Sequence, residues 1–165
     1  MVDYNEIREV LRAGIWEHLG RFFVDLENGD PRPDEQAGID TFISYKFISP
    51  FGNEVAHEVI DDEKIIYRSQ FQMTLSLTVY SKDKAESKNT ALALRNWFRF
   101  QGYEYLKDKN LIVVEIQPMT DRTTFLDTDY DNRVGFDVVL RHVYTDERAT
   151  EVIESAEINE NIIGG

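Results

Sequence analysis

Residues Lys64–Tyr80 read KIIYRSQFQMTLSLTVY. Ile65, Tyr67, Phe71, Met73, Leu75, Leu77 and Val79 share one parity, and Arg68, Gln70, Gln72, Thr74, Ser76 and Thr78 share the other. This is the pattern of a strand with one apolar and one wet face, as in an antiparallel sheet. At ~3.4 Å per residue the strand runs about 50 Å. A compact domain of this length has a radius of gyration of roughly 15 Å and a diameter of about 40 Å. The strand outruns its own domain, so part of its hairpin should project and meet something, most simply a neighbouring subunit.

The flanking segments supply its partners. Ile39, Thr41, Ile43, Tyr45 and Phe47 alternate in the same way, and Pro50-Phe51-Gly52-Asn53 reads as a strand break. Residues 54–63 are acidic and weakly patterned, either a strand extension or a loop tip. Upstream, residues 3–20 fit an amphipathic helix with Ile7, Val10, Leu11, Gly14, Ile15, His18 and Leu19 on one face. Asp3 is its expected N-cap and Gly20 its stop. Phe22 and Phe23 should pack beneath its end, before a turn-rich loop over 28–38. Downstream, residues 82–101 read as a second helix, capped by Ser81 or Asp83 and burying Ala91, Leu94, Trp97 and Phe98. Gly102 is its expected stop, with Tyr103 and Tyr105 in an exit loop. A third strand over 110–118 should turn Ile112, Val114 and Ile116 to one face. A fourth over 132–145 should do the same with Val134, Phe136, Val138, Leu140 and Tyr144.

The expected architecture is α+β and two-layered. An antiparallel four-stranded sheet of two long hairpins carries two helices on one face, in the order α-β-β-α-β-β. One domain over 1–145 should project a hairpin at about 45–68, and 146–165 form an acidic C-terminal extension. That extension carries Val152, Ile153, Ile158, Ile162 and Ile163. It is suited to adding a strand to a neighbour or docking on a partner, as an alternative to a frayed terminus.

Asp plus Glu number 31 against 18 Lys plus Arg, a net charge of −13. Such a surface argues against gripping nucleic acid or an anionic membrane. The chain has no Cys, which excludes disulfides, thiolate metal sites and Cys nucleophiles. No apolar run approaches membrane-spanning length, and Met1–Val10 lacks the pattern of a signal peptide. The expectation is a soluble, non-secreted domain.

Candidate chemistry is sparse. Asp127-Thr-Asp-Tyr-Asp131 opens like an EF-hand loop, but Asn132 stands where the turn glycine belongs and Val138 where the bidentate acid belongs. An Asp-rich turn between strands explains it better. Asp83 with Glu86-Ser-Lys88 resembles fragments of a nuclease site, yet an acidic helix start complementing the helix dipole accounts for it. His18, His57 and His142 share no metal-ligand spacing. His18 should sit at the core edge and His142 on the core register of the fourth strand. Tyr45, Tyr67, Phe71, Trp97, Phe98 and Phe100 read as core rather than as a stacking platform, which would need a positive groove. The chain therefore reads as a non-enzyme with no cofactor and no metal.

The segments Asp121-Arg-Thr-Thr-Phe-Leu-Asp127 and Asn132-Arg-Val-Gly-Phe-Asp-Val-Val-Leu140 follow a helix and strand over Ala91–Pro118. In this they resemble the tail (neck) terminator proteins of tailed bacteriophages. Tyr45-Lys-Phe-Ile-Ser-Pro50 and the Arg68–Tyr80 strand fit the same pattern. The resemblance covers residues 1–145 in order of elements and leaves 146–165 unmatched.

It implies a structural virion protein, assembled in the host cytoplasm and located in the tail or neck. Such proteins form a homo-hexameric ring on the head-proximal end of the tail tube and stop its polymerisation. The implied partners are the tail tube protein, a neck or head-completion protein and, where the tail contracts, the sheath protein. DNA passes through the lumen without specific binding, and an acidic wall would repel phosphate there. Competing readings are a head-completion or connector-adaptor protein of the neck, a metal-dependent nuclease using Asp127, Asp129 and Asp131, and a monomeric or dimeric soluble adaptor. The interface candidates are Phe51, Val55, Val59, Ile60, Ile65 and Ile66 on the hairpin, Arg122, Phe125, Tyr130 and Arg133 in the 121–133 connection, and Val152, Ile153 and Ile158 in the extension. Arg133 has an intrachain alternative in Asp131 or Asp137.

Overall fold

A computed structural model describes residues 2–34, 38–126 and 129–150, with the side chains of 126, 129 and 130 left out. The elements in chain order are α1 (Tyr4–Leu19), β1 (Phe23–Val24), β2 (Thr41–Asp61), β3 (Lys64–Ser81), α2 (Lys84–Asn96), a π-helical turn (Trp97–Gln101), α3 (Tyr103–Asp108), β4 (Leu111–Ile116), β5 (Thr120–Asp121), β6 (Thr124–Leu126) and β7 (Asp129–Ala149). The sheet runs β1-β2-β3-β7-β4, with β5 and β6 also paired to β7.

The class is α+β, but the sheet is mixed and has more than four strands. β1 lies parallel to β2, pairing Phe23 with Ile43 and Val24 with Ser44. Phe23 is buried and stacks on Tyr45 at 4.2 Å, which holds this short strand in place. The 121–131 connection contributes β5 and β6 because β7 is far longer than β4. The start of β7 would otherwise leave backbone donors and acceptors without partners.

The parity of β3 governs the core. Phe71, Met73, Leu75, Leu77 and Val79 are all fully buried, as are Phe136, Val138 and Leu140 of β7. Ile7, Leu11 and Ile15 of α1, Ala91 and Leu94 of α2, Phe98 and Leu106 join them in one cluster. Helix ends follow local chemistry. The Asp3 carboxylate accepts from the Asn5 and Glu6 amides, Asp83 accepts from Glu86, and Gly20 caps α1 in the left-handed region.

Other expectations need correction. Pro50 does not break β2, which continues to Asp61 through three register shifts between Phe47 and Val55. Beyond β1 the outer edge of β2 pairs with no strand among the described residues, so the missing N–H costs no ladder bond and the bulges absorb the ring. In β4, Leu111 and Val113 face the core and Val114 is exposed. A bulge between Val113 and Glu115 then returns Ile116 to the core side.

Gly102 does not end the second helical region, which resumes as α3 and carries Tyr103 and Tyr105. Its role is close approach: a Cβ there would meet the Trp97 indole. His18 is exposed rather than at the core edge. Phe100 is 80% exposed rather than core.

The wet face has its own packed corner. Phe42 is fully buried and stacks on Tyr80 at 4.9 Å. The Arg32 guanidinium lies over both rings, and that of Arg133 lies 4.6 Å from the Tyr80 centroid.

Candidate assembly interface

β3 is paired along its whole length on both sides. On one side Asp61 meets Lys64 and Thr41 meets Ser81; on the other Ala149 meets Lys64 and Asn132 meets Ser81. The hairpin is therefore part of a three-stranded unit, the arm, built from the second half of β2, the first half of β3 and the end of β7. β7 runs through Asp146–Ala149, and the Thr150 amide donates to Glu63 O at the arm tip (2.8 Å). A third strand stiffens what would be a marginal isolated hairpin.

Register sorts the hairpin candidates onto two faces, since paired residues point the same way. Val55 opposes Gln70, which opposes Val143, and Val59 opposes Ile66. Val55, Val59, Ile66 and Val143 thus share the face opposite the helices. Val55 is 62% exposed, while Val59 and Val143 are also exposed and Ile66 is half-buried. Ile60 opposes Ile65 on the helix-side face, where Ile60 is 74% exposed and Ile65 half-buried. Phe51 lies on that side too, stacked on Phe71 at 4.3 Å yet exposed. The arm presents aliphatic side chains on both faces beyond the reach of the helical layer.

One carboxylate ties its three strands together. Glu54 of β2 accepts hydrogen bonds from Ser69 and Tyr67 (2.9 Å) of β3 and from Tyr144 (3.1 Å) of β7. The three hydroxyls hold Glu54 below its ordinary pKa, with Ser69 the largest contributor. The Tyr67 phenol is correspondingly raised, chiefly by donating to Glu54. Sequence reading did not find this network. Between Ile65 and Val79, Ser69 is the one residue of the apolar parity that is neither aliphatic nor aromatic, and that interruption is the available signal.

The 121–133 candidates are largely engaged within the chain. Arg122 lies across the wet face. Its Nη1 donates to Ser76 Oγ and Thr78 Oγ1 (3.0 Å each) and to Leu77 O (3.1 Å), and its Nη2 donates to Asp137 (3.2 Å). Arg133 pairs with Asp131 at 2.6 Å, and Arg32 approaches the same carboxylate at 3.5 Å. Asp131 is therefore neutralised by two guanidiniums, which disfavours it as a cation ligand. Phe125 is 60% exposed. The side chain of Tyr130, together with Asp127, Val152, Ile153 and Ile158, lies outside the described residues, as does that of Asp129. Among the described residues no group of three or more His, Cys, Asp or Glu side chains is placed to hold a metal.

His57, on the Val55 face of the arm, opposes Arg68. His142 meets Phe71 edge-to-face at 5.7 Å and contacts Asn110 O at 3.1 Å through Nδ1, with burial pushing its pKa down.

Comparison with curated proteins finds no match. A protein-family model described as "Phage neck terminator protein" matches residues 4–165, nearly the whole chain, including the extension that the sequence resemblance left out. Its members are structural proteins that join tail to head in the virion. With that match over nearly the whole of an α+β chain, the chain belongs to the phage neck terminator family.

Proposed function

We propose that the protein is the subunit of a homo-hexameric ring that caps the head-proximal end of the tail tube, ends its polymerisation and joins the tail to the neck. The observation that carries this reading is the three-stranded arm, with exposed Val55, Val59 and Ile60 beyond the helical layer. A ring needs a heterologous interface whose rotation closes, and an arm laid on the next copy supplies one. The partners are other copies of the chain, the tail tube protein, a neck or head-completion protein and, in a contractile tail, the sheath. DNA crosses the lumen without specific binding, as suits a net charge of −13.

The test is to add labelled protein to tail tube subunits as they polymerise. The expected outcome is label at one tube end and an arrest of growth there. Tubes that lengthen unchanged, with no label at their ends, overturn the reading. Label found only on portal or connector complexes would favour the head-completion alternative.

A further inference from the structure

We infer that the hairpin tip joining β2 to β3 docks on a second copy, in the groove between the outer edge of β4 and the π-helical turn. The inference rests on the ring reading and names the surface that receives the arm. The groove encloses about 310 Å³, with Arg95, Arg99 and Tyr103 on one side and Val114, Glu115 and Ile116 on the other. β4 is the last strand of its sheet, so its outer edge pairs with no strand among the described residues. Phe100, next to Arg99, is 80% exposed, and Val114 is exposed as well.

The positive charges of the groove are available. Among the described residues neither Arg95 nor Arg99 makes an ion pair or a side-chain hydrogen bond. The one acid in the groove, Glu115, accepts from Gln117 Nε2 at 2.6 Å instead. A cationic groove with apolar and aromatic walls selects carboxylates set beside an aliphatic anchor.

The hairpin tip has that composition. Asp61 opposes Lys64 in the ladder across a two-residue turn of Asp62 and Glu63, with Asp62 in the left-handed region at φ 47°. The carboxylates of Asp61, Asp62 and Glu63 are exposed and have no ion pair or hydrogen bond among the described residues. Glu63 is bonded through its backbone oxygen, which accepts from the Thr150 amide. Ile60, adjoining them, is 74% exposed. Free carboxylates and an aliphatic anchor on the tip thus match free guanidiniums and an apolar wall in the groove.

The tip cannot fill the groove of its own chain. β3 and β7 pair without a register shift from Lys64 opposite Ala149 to Met73 opposite Leu140, and Leu140 is also the partner of Val113 in β4. The nine steps from residue 64 to residue 73 hold tip and groove about 31 Å apart along the strand at ~3.4 Å per residue. β3 is paired on both sides over that length, which leaves no hinge to close the gap. The acceptor is therefore another copy. Tip and groove are different surfaces, so the contact is heterologous, the kind that can close a ring.

The test follows the native mass of full-length variants by light scattering, with and without tail tubes. Arg95→Glu with Arg99→Glu sets like charges against each other at every contact, and so does Asp61→Lys with Glu63→Lys. Each pair is expected to weaken assembly by more than about tenfold. All four substitutions in one chain restore opposite charges and should return the wild-type mass, a recovery that misfolding cannot produce. Lys107→Glu with Lys109→Glu, at exposed positions outside both surfaces, matches the charge change of the groove pair and should assemble like wild type. Where wild type assembles, groove and tip variants that assemble equally well overturn the docking and leave the ring standing. Loss in both with no recovery in the four-substitution chain does the same. A wild-type monomer under every condition overturns both. Recovery in a species other than a hexamer supports the docking and counts against the ring.

Discussion

A Cβ on Gly135 would lie 2.6 Å from Nη1 of Arg122 and would also collide with the Leu77 carbonyl. The bare backbone at Gly135 is therefore what lets the guanidinium lie flat on the wet face of the sheet. There it holds the β5–β6 connection by bonds to Ser76, Leu77, Thr78 and Asp137. Gly135→Ala should cost about 1–3 kcal/mol by overpacking. Because Leu77 O is backbone, removing the Arg122 side chain should relieve only part of that cost. Denaturant unfolding of Gly135→Ala, Arg122→Ala and the double variant measures the coupling, and additive losses would contradict the contact.

Gly102 tests the same logic where the backbone itself is ordinary. Its φ of −93° suits any L residue, so conformation alone does not require glycine there. Trp97 is 2% exposed, and a Cβ at 102 would meet its indole, including Nε1 at 2.7 Å. Packing should win, so Gly102→Ala is expected to destabilise by about 1–3 kcal/mol. A raised Tm would show that the indole can yield.

The Glu54 network makes the arm sensitive to acid. Glu54 has a folded pKa below its ordinary value of 4.5. A depressed folded pKa gives stability that is present above the unfolded value and lost as pH falls through the folded one. Arm amides of wild type should be better protected from hydrogen exchange than those of Glu54→Gln at neutral pH, and the difference should shrink below pH 4.5. Tyr67 carries the opposite sign: its raised pKa gives a contribution present below pH 10.0 and lost as pH climbs through the higher folded value. Equal protection of the two proteins at every pH would remove Glu54 as the tie between strands.

The aliphatic face of the arm should matter for association rather than for folding. Val55 and Val59 are 62% and 40% exposed, so Val55→Asp with Val59→Asp should cost the monomer only the strand preference of Val over Asp, about 1 kcal/mol per site. Native mass and tube capping should both fall. A double variant that assembles like wild type would move the interface off this face.

What could be read from the sequence was what local chemistry determines. The parity of Phe71 to Val79 specifies a buried face wherever the strand lies, and Asp3, Gly20 and Asp83 cap helices through their own side chains or backbone freedom. What could not be read depends on partners distant in the chain. Pro50 is tolerated because, among the described residues, β2 is an edge there, a property of topology. Val114 is exposed because β4 bulges against β7. The arm candidates Val59 and Ile60 part onto opposite faces only once their partners, Ile66 and Ile65, are known. Arg122 reads as a free interface cation until Gly135 opens a place for it on the sheet.

If copies of this chain close on one another through the arm, native mass by light scattering, across protein concentrations and with and without tail tubes, should reveal the closed species. Six 19.3 kDa subunits, about 116 kDa, are expected in solution or released from tube ends. A 19.3 kDa monomer at every concentration, unchanged when tubes are added, would contradict it.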